Sequence, residues 1–148
     1  MTIGARTRRG VSDPVETLIA ALSGPARPIG LTLSGDAPLA YVLEKAQQSL
    51  GRPLVLVTPT PVLAEAAQQA LEFFGLDTVR LPAPPSPFLP VASNPALEAE
   101  RLAALYRMAS GPLPRAIVAD IGALLRVTIA PAELAGRTGR VRVGDDID

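Results

Sequence analysis

An unbroken apolar run constrains the fold of this chain more than any other feature. The run is PLVLV at positions 53–57. A strand without polar alternation is typical of a parallel strand that is covered on both faces. Parallel strands need crossover helices, and amphipathic segments follow this run at a suitable spacing. We therefore predict an α/β domain of three layers, with a mostly parallel sheet flanked by helices.

Capping residues and apolar periodicity predict the remaining elements. Asp13 and Pro14 begin a short amphipathic helix, and Asn94 and Pro95 begin a longer helix that runs to residue 109. We expect four apolar side chains of the longer helix to line one face, those of Leu102, Leu105, Tyr106 and Ala109. Further helices are predicted at 38–50 and 61–74, short helical turns at 122–126 and 131–134, and further strands at 29–33, 78–81 and 115–120.

The stretch GLTLSGDA has the spacing of a phosphate-binding loop. In the pattern G-x-x-x-x-G-K-[ST], the lysine reaches the outer phosphates and the hydroxyl holds magnesium. Gly30 and Gly35 supply both glycines, with Ser34 between them, but Asp36 stands at the lysine position and Ala37 at the hydroxyl position. A carboxylate repels a triphosphate and a methyl group cannot ligate a metal. We therefore expect a degenerate loop that binds no nucleotide, and a chance match of a glycine-rich turn is the alternative.

Composition excludes several kinds of site. The 148 residues include no Cys and no His, which excludes disulfides, thiolate metal sites and catalysis of the Ser-His-Asp or Cys-His type. Asp120 ends a predicted strand, where a carboxylate can be catalytic or can cap a loop or helix. No pair of carboxylates shares an obvious site. We expect no catalytic residue, no metal site and no cofactor in this segment.

Charge and hydropathy argue against a membrane protein and against a general nucleic-acid-binding charge. The formal net charge is zero and apolar residues make up 48% of the chain. No apolar run is long enough to span a membrane, and the N-terminus lacks the apolar core of a signal peptide, so we expect a cytoplasmic protein. The candidate contacts to a partner or to nucleic acid are Arg137, Arg140 and Arg142.

The predicted domain organisation has three parts. We expect a flexible tail at 1–12, where apolar content is low, and one α/β domain at 13–138. The stretch 139–148 alternates like a strand that has nothing left to pair against, and we interpret it as the truncated start of a following domain. The proline-rich segment 82–90 is a recognition segment or an ordinary connection, and the second reading is favoured.

Six motifs, taken in order, resemble a known family. They are the degenerate phosphate loop, LVLVTPT at 54–60, LEFFG at 71–75, RLAALY at 101–106, AIVAD at 116–120 and VRVGD at 141–145. This order is similar to the N-terminal module of bacterial transcription-repair coupling factors, itself similar to the first domain of the excision-repair protein UvrB. UvrB keeps the lysine and threonine of the loop, so the degenerate loop favours the coupling factors. The chain departs from the family in its proline-rich segment, where the usual tryptophan is missing.

The resemblance implies a P-loop-helicase-like fold and a parent protein that is an ATP-dependent DNA translocase. That parent rescues stalled RNA polymerase and recruits UvrA for nucleotide excision repair, with DNA, ATP and magnesium bound by motor domains that follow this segment. The segment itself would be a non-catalytic scaffold in contact with the rest of the parent chain. The alternatives are a phosphate-loop enzyme fragment related to UvrB and a stand-alone nucleic-acid-binding module.

Overall fold

The computed structural model describes residues 13–25, 28–84 and 94–139. The helices in these residues are α1 Pro14–Leu22, α2 Asp36–Leu50, α3 Pro61–Phe73, α4 Pro95–Ser110, α5 Ile121–Leu124 and α6 Pro131–Arg137. The strands are β1 Leu54–Thr58, β2 Thr78–Leu81 and β3 Ala116–Asp120. Three of the predicted features lie partly or wholly outside the described residues, namely the tail at 1–12, the proline-rich segment and the strand-like stretch at 139–148.

The strands form a parallel sheet with the order β1–β3–β2. Ala116 of β3 has Leu54 of β1 as its register partner on one side and Thr78 of β2 on the other. Helix α3 connects β1 to β2, and α4 connects β2 to β3. The predicted α/β class is therefore confirmed, with a small parallel sheet that is flanked by helices.

An apolar core lies on each face of the sheet, because successive strand residues point to opposite sides. On one face, Ala116 and Val118 pack with residues of α2, α3 and the loop that follows, which are Ala40, Ala64, Ala67, Leu71 and Leu76. On the other face, Ala119 packs with residues of β2, α4 and α5, which are Val79, Leu81, Ala104 and Ala123. We call these the α3 face and the α4 face. Helices on both faces are compatible with the predicted three layers.

Side-chain caps fix where α1, α3 and α4 begin. Asp13 Oδ1 accepts the Val15 N–H at 2.9 Å, and Thr60 Oγ1 accepts the Leu63 N–H at 3.3 Å. Asn94 caps α4 in the same way by accepting from the first-turn backbone. Each cap satisfies a backbone donor that has no partner within the helix. The helices predicted at 38–50, 61–74 and 95–109 are confirmed, with ends that differ by one or two residues.

The structure has no strand at 29–33, so this prediction is wrong. The segment has no regular secondary structure, and the side chains of Leu31 and Leu33 line an apolar cavity of about 200 Å³. The other lining residues belong to α1 and α2 and are Val15, Leu18 and Val42. The side chains of Leu31 and Leu33 therefore face helices, and no strand among the described residues pairs with the backbone of this segment.

The prediction that β1, the apolar run at 53–57, is covered on both faces is also wrong. Leu54 and Leu56 of β1 are half-buried, but Val55 is 62% exposed and Val57 is 45% exposed. These two valines lie on the α4 face, since Val57 is the register partner of Ala119. The helices of that face pack on β2 and β3 in the described residues and leave the side chains of Val55 and Val57 uncovered.

The buried face of α4 differs from the predicted one. Arg101 and Ala104 are its buried residues, whereas Leu102 is 50% exposed and Ala109 is exposed. Leu105 packs against the core of the α4 face, as predicted. Neighbouring residues of a helix are about 100° apart, so the buried face, which includes Arg101 and Ala104, is rotated relative to the predicted apolar face.

Leu71 tests the core of the α3 face. Its side chain is 1% exposed, so truncation in Leu71→Ala leaves a cavity and should lower the free energy of unfolding by about 2–5 kcal/mol. The control is Leu102→Ala, which removes the same atoms from a half-exposed site and should cost about 1 kcal/mol or less. Urea unfolding followed by circular dichroism measures both losses. Equal losses would contradict the assigned core.

Candidate functional site

The stretch that the sequence predicts to be a degenerate phosphate loop lies at the N-terminus of α2. Gly35 is the residue before the helix and has φ 91° and ψ 171°, a backbone conformation that favours glycine. Asp36 and Ala37 form the start of the first turn, and both side chains are exposed. Gly30 and Ser34 are exposed as well. The structure thus brings the predicted loop residues together at the surface, without the preceding strand that a phosphate-binding loop has.

This geometry does not fit a nucleotide. A helix N-terminus binds anions through its free backbone N–H groups and its dipole. Here the first helical residue is Asp36, whose carboxylate already supplies a negative charge beside those groups. The exposed methyl group of Ala37 offers no oxygen to a metal ion. The residues present therefore do not fit triphosphate and magnesium.

The structure places one of the three candidate arginines. Arg137 lies in the last turn of α6 and forms an ion pair with Glu133 at 2.9 Å, and both side chains are largely exposed. Such a surface pair contributes little to stability. Arg140 and Arg142 lie outside the described residues. The contact predicted for the three arginines therefore stays a prediction.

A buried arginine ties together the carboxyl end of the sheet. Arg101 is 7% exposed, and its guanidinium donates to the backbone oxygen of Pro82 at 2.6 Å and to that of Ala123 at 3.4 Å. One side chain of α4 thus holds the segment after β2 and helix α5. Burial lowers the pKa of the Arg101 guanidinium from its ordinary value, and the charge of Asp120 opposes that shift.

Asp120 is the other charged residue buried at this edge. It ends β3, is 3% exposed, and accepts the Ala123 N–H with Oδ1 at 3.1 Å as the cap of α5. Its Oδ2 has no hydrogen-bond partner among the described residues. A Cβ at Gly122 would stand 2.9 Å from Asp120 Oδ1, so a larger residue there would displace the carboxylate from its capping position. A catalytic role and a capping role were the two alternatives for Asp120, and the bond to Ala123 shows the capping role.

Two threonines at and after the end of β1 form hydrogen bonds at the same edge of the sheet. Thr58 is the register partner of Asp120 and is 8% exposed, and its hydroxyl donates to the Thr60 oxygen at 3.0 Å. Thr60 in turn caps α3. Ligands of open α/β sheets bind at such carboxyl ends, where neighbouring strands send their helices to opposite faces. Here the polar groups of that crevice cap helices and bind loop carbonyls.

The described residues contain neither a candidate metal site nor a candidate membrane span. Residues 13–25, 28–84 and 94–139 include no group of three acidic side chains placed to hold a metal ion. No helix in these same ranges combines the length and the apolar character needed to cross a membrane.

Comparison with known proteins gave no match. The chain matches no protein-family model, no curated protein and no solved structure.

The burial of Arg101 at this edge was not predicted. The available signal was its position, three and four residues before Ala104 and Leu105, which places it on the apolar stripe of α4. A charged residue on such a stripe is buried only if it finds partners, and the sequence does not reveal that two backbone oxygens supply them.

Replacement of Arg101 tests its hydrogen bonds at this edge. Arg101→Met leaves the Pro82 and Ala123 oxygens without their charged donor and removes the positive charge that acts on Asp120, so the free energy of unfolding should fall by about 1.5–3 kcal/mol. The double variant Arg101→Met/Asp120→Asn should recover part of the loss, because an amide oxygen can still cap α5 without a buried charge. Urea unfolding measures both.

The control for this series is Arg107→Met on the same helix. Arg107 pairs with Asp77 at an exposed site, so its loss should cost about 1 kcal/mol or less. A similar cost for Arg101→Met and Arg107→Met would show that the buried arginine does not organise this edge.

Proposed function

We propose that this chain is the non-catalytic, UvrB-like N-terminal module of a transcription-repair coupling factor. Two observations support the proposal: the six motifs occur in the order of that family, and the motifs LVLVT and AIVAD form neighbouring parallel strands, β1 and β3. The fold proposed for the module is related to that of P-loop helicases, with a phosphate loop that has lost its function.

One observation carries the proposal, which is the pair Asp36 and Ala37 at the start of α2. A working loop of this kind would present a lysine and a hydroxyl from these positions. Instead, the first turn presents a carboxylate and a methyl group to solvent. Among the described residues before the loop, 13–25 and 28–33, no strand sets the backbone N–H groups around a phosphate. A module that keeps the position of the loop but not its chemistry fits a structural role in a larger ATP-driven protein.

The proposed parent protein supplies the activity. It is a cytoplasmic DNA translocase that hydrolyses ATP with magnesium in its motor domains, displaces stalled RNA polymerase from damaged DNA and recruits UvrA for nucleotide excision repair. The module contributes a rigid α/β body to the partner surface and helps to hold the parent protein inactive until it is needed. UvrA, RNA polymerase and DNA are therefore partners through the parent, and the direct contact of the module is with the rest of that chain.

Nucleotide binding tests the loss of the loop's function. The wild-type chain should bind a labelled non-hydrolysable ATP analogue with magnesium more weakly than Kd of about 1 mM, which corresponds to about −4 kcal/mol. The variant Asp36→Lys/Ala37→Thr carries the lysine and the hydroxyl of the pattern. Its Kd should nevertheless also stay above about 1 mM, because no described strand precedes the loop. Equilibrium fluorescence titration measures both.

The control for this titration is the single variant Asp36→Asn. It removes the negative charge without adding a phosphate contact, so its Kd for the ATP analogue should also stay above about 1 mM. Submillimolar binding by the wild-type chain would overturn the proposed role and favour a phosphate-loop enzyme.

A chimera tests the role in the parent protein. Residues 13–138 of this chain replace the N-terminal module of an established coupling factor, and ATP hydrolysis is measured without RNA polymerase. The chimera should keep hydrolysis at the low level of the intact coupling factor, whereas a version that lacks the module should hydrolyse ATP faster. A folded chimera that hydrolyses ATP as fast as the deleted version would contradict the proposal.

A further inference from the structure

Helix α3 carries an apolar stripe on its exposed side. Val62 is 76% exposed and Phe73 is 85% exposed. Ala66 and Gln69 lie between them at spacings of four, three and four residues, so the four side chains share one face of the helix. We call these four residues the outer stripe. The opposite side of α3 packs in the core through its buried residues, which are Ala64, Ala67 and Leu71.

Two aromatic contacts hold Phe73 at the end of the outer stripe. Its ring meets the ring of Phe74 edge to face, with 5.5 Å between the ring centroids. Phe74 in turn meets Tyr41 of α2 edge to face at 6.1 Å. These are favourable arrangements of aromatic rings, so Phe73 is presented to solvent in a defined orientation and loses little freedom on binding. Aromatic residues are enriched in protein interfaces, and exposed apolar surface of this kind marks an interaction site.

The charges beside the outer stripe are acidic. Glu65 and Glu72 are exposed, and each stands directly before a residue of the stripe. These positions flank the apolar seam of a coiled coil, where charged residues determine the choice of partner. Helix α3 contains no Lys or Arg, and neither glutamate forms an ion pair within the described residues. Glu72 accepts a hydrogen bond from the neutral Gln68, and Lys45 of α2 pairs with Glu44. The flank of the stripe therefore carries an unbalanced negative charge.

We propose that the outer stripe docks a basic amphipathic helix of a second protein, a contact additional to the one proposed with the rest of the parent chain. The apolar side chains of that helix pack against Val62 and Phe73. Its Lys or Arg residues pair with Glu65 and Glu72, which gives the contact its specificity. Gln69 is the polar position of the stripe, and one polar residue in an apolar seam fixes the register of two helices.

Charge favours this partner over a second copy of the chain. Two copies that packed through the outer stripe would bring Glu65 and Glu72 of each copy against a helix without any basic residue. Like charges that face each other across an interface suppress the wrong partner. A basic helix instead supplies the missing counter-charges on both sides of Phe73.

Peptide titration of the full chain tests the docking. The probe is a designed helical peptide of about 20 residues, with leucines at alternating spacings of three and four residues and lysines beside them. The comparison peptide has the same leucines and has glutamates in place of the lysines. The chain should bind the lysine peptide with Kd on the order of 100 µM, at least about tenfold tighter than the glutamate peptide. NMR titration measures both affinities, and the largest shift changes should fall in α3.

Two variants test whether the peptide binds the outer stripe. Phe73→Ala should weaken binding of the lysine peptide at least about tenfold. Glu65→Lys/Glu72→Lys should reverse the preference, so that the glutamate peptide binds more tightly. The matched control is Leu125→Ala, which removes an apolar side chain that is 77% exposed at the end of α5 and should leave binding unchanged. Circular dichroism verifies that each variant is folded.

Three outcomes would overturn the inference. Equal or undetectable binding of the two peptides by the wild type would show that the stripe does not select a basic helix. Unchanged binding in Phe73→Ala would place the contact elsewhere on the chain. Self-association of the wild type in sedimentation, lost in Phe73→Ala, would show that a second copy covers the stripe.

Discussion

The central strand β3 is the constraint on which the rest of the structure depends. Its backbone pairs with a strand on each side, and its side chains contribute to the cores of both sheet faces. Ala116 and Ala119 are almost completely buried, and such small side chains let helices on each face approach the sheet closely. A larger residue at either position would displace a helix, since cores tolerate added volume poorly.

Polar groups at the carboxyl end of the same strand and of its neighbours stabilise the loops and helix ends there. Asp120 caps α5 while Arg101 holds the backbone oxygens of Pro82 and Ala123. Thr58 and Thr60 are engaged in loop and cap bonds on the neighbouring strand. In many α/β proteins, this edge binds the ligand. Here its polar residues stabilise the ends of elements, which agrees with the structural role proposed for the module.

The sequence predicted the local features of the fold but not the neighbours of each element. The strand at 78–81 and the caps at Asp13 and Asn94 were predicted correctly because residues close in the chain determine them. Periodicity does not say which element covers a strand, so the exposure of Val55 was missed. The segment at 29–33 has the apolar content of a strand, but its side chains contact helices. Likewise, the loop residues of the candidate site were found from spacing, whereas the burial of Arg101 depends on backbone oxygens from distant segments.

The proposed function rests on a loop that has the spacing of a phosphate-binding loop but carries residues that oppose a nucleotide. Asp36 and Ala37 are exposed at a helix start, so no buried partner compensates for the substituted groups. The most direct test is a crystal of the chain soaked with magnesium and ATP. The proposed loss of function predicts no triphosphate density beside residues 34–37. Ordered triphosphate density against the backbone of these residues would contradict it.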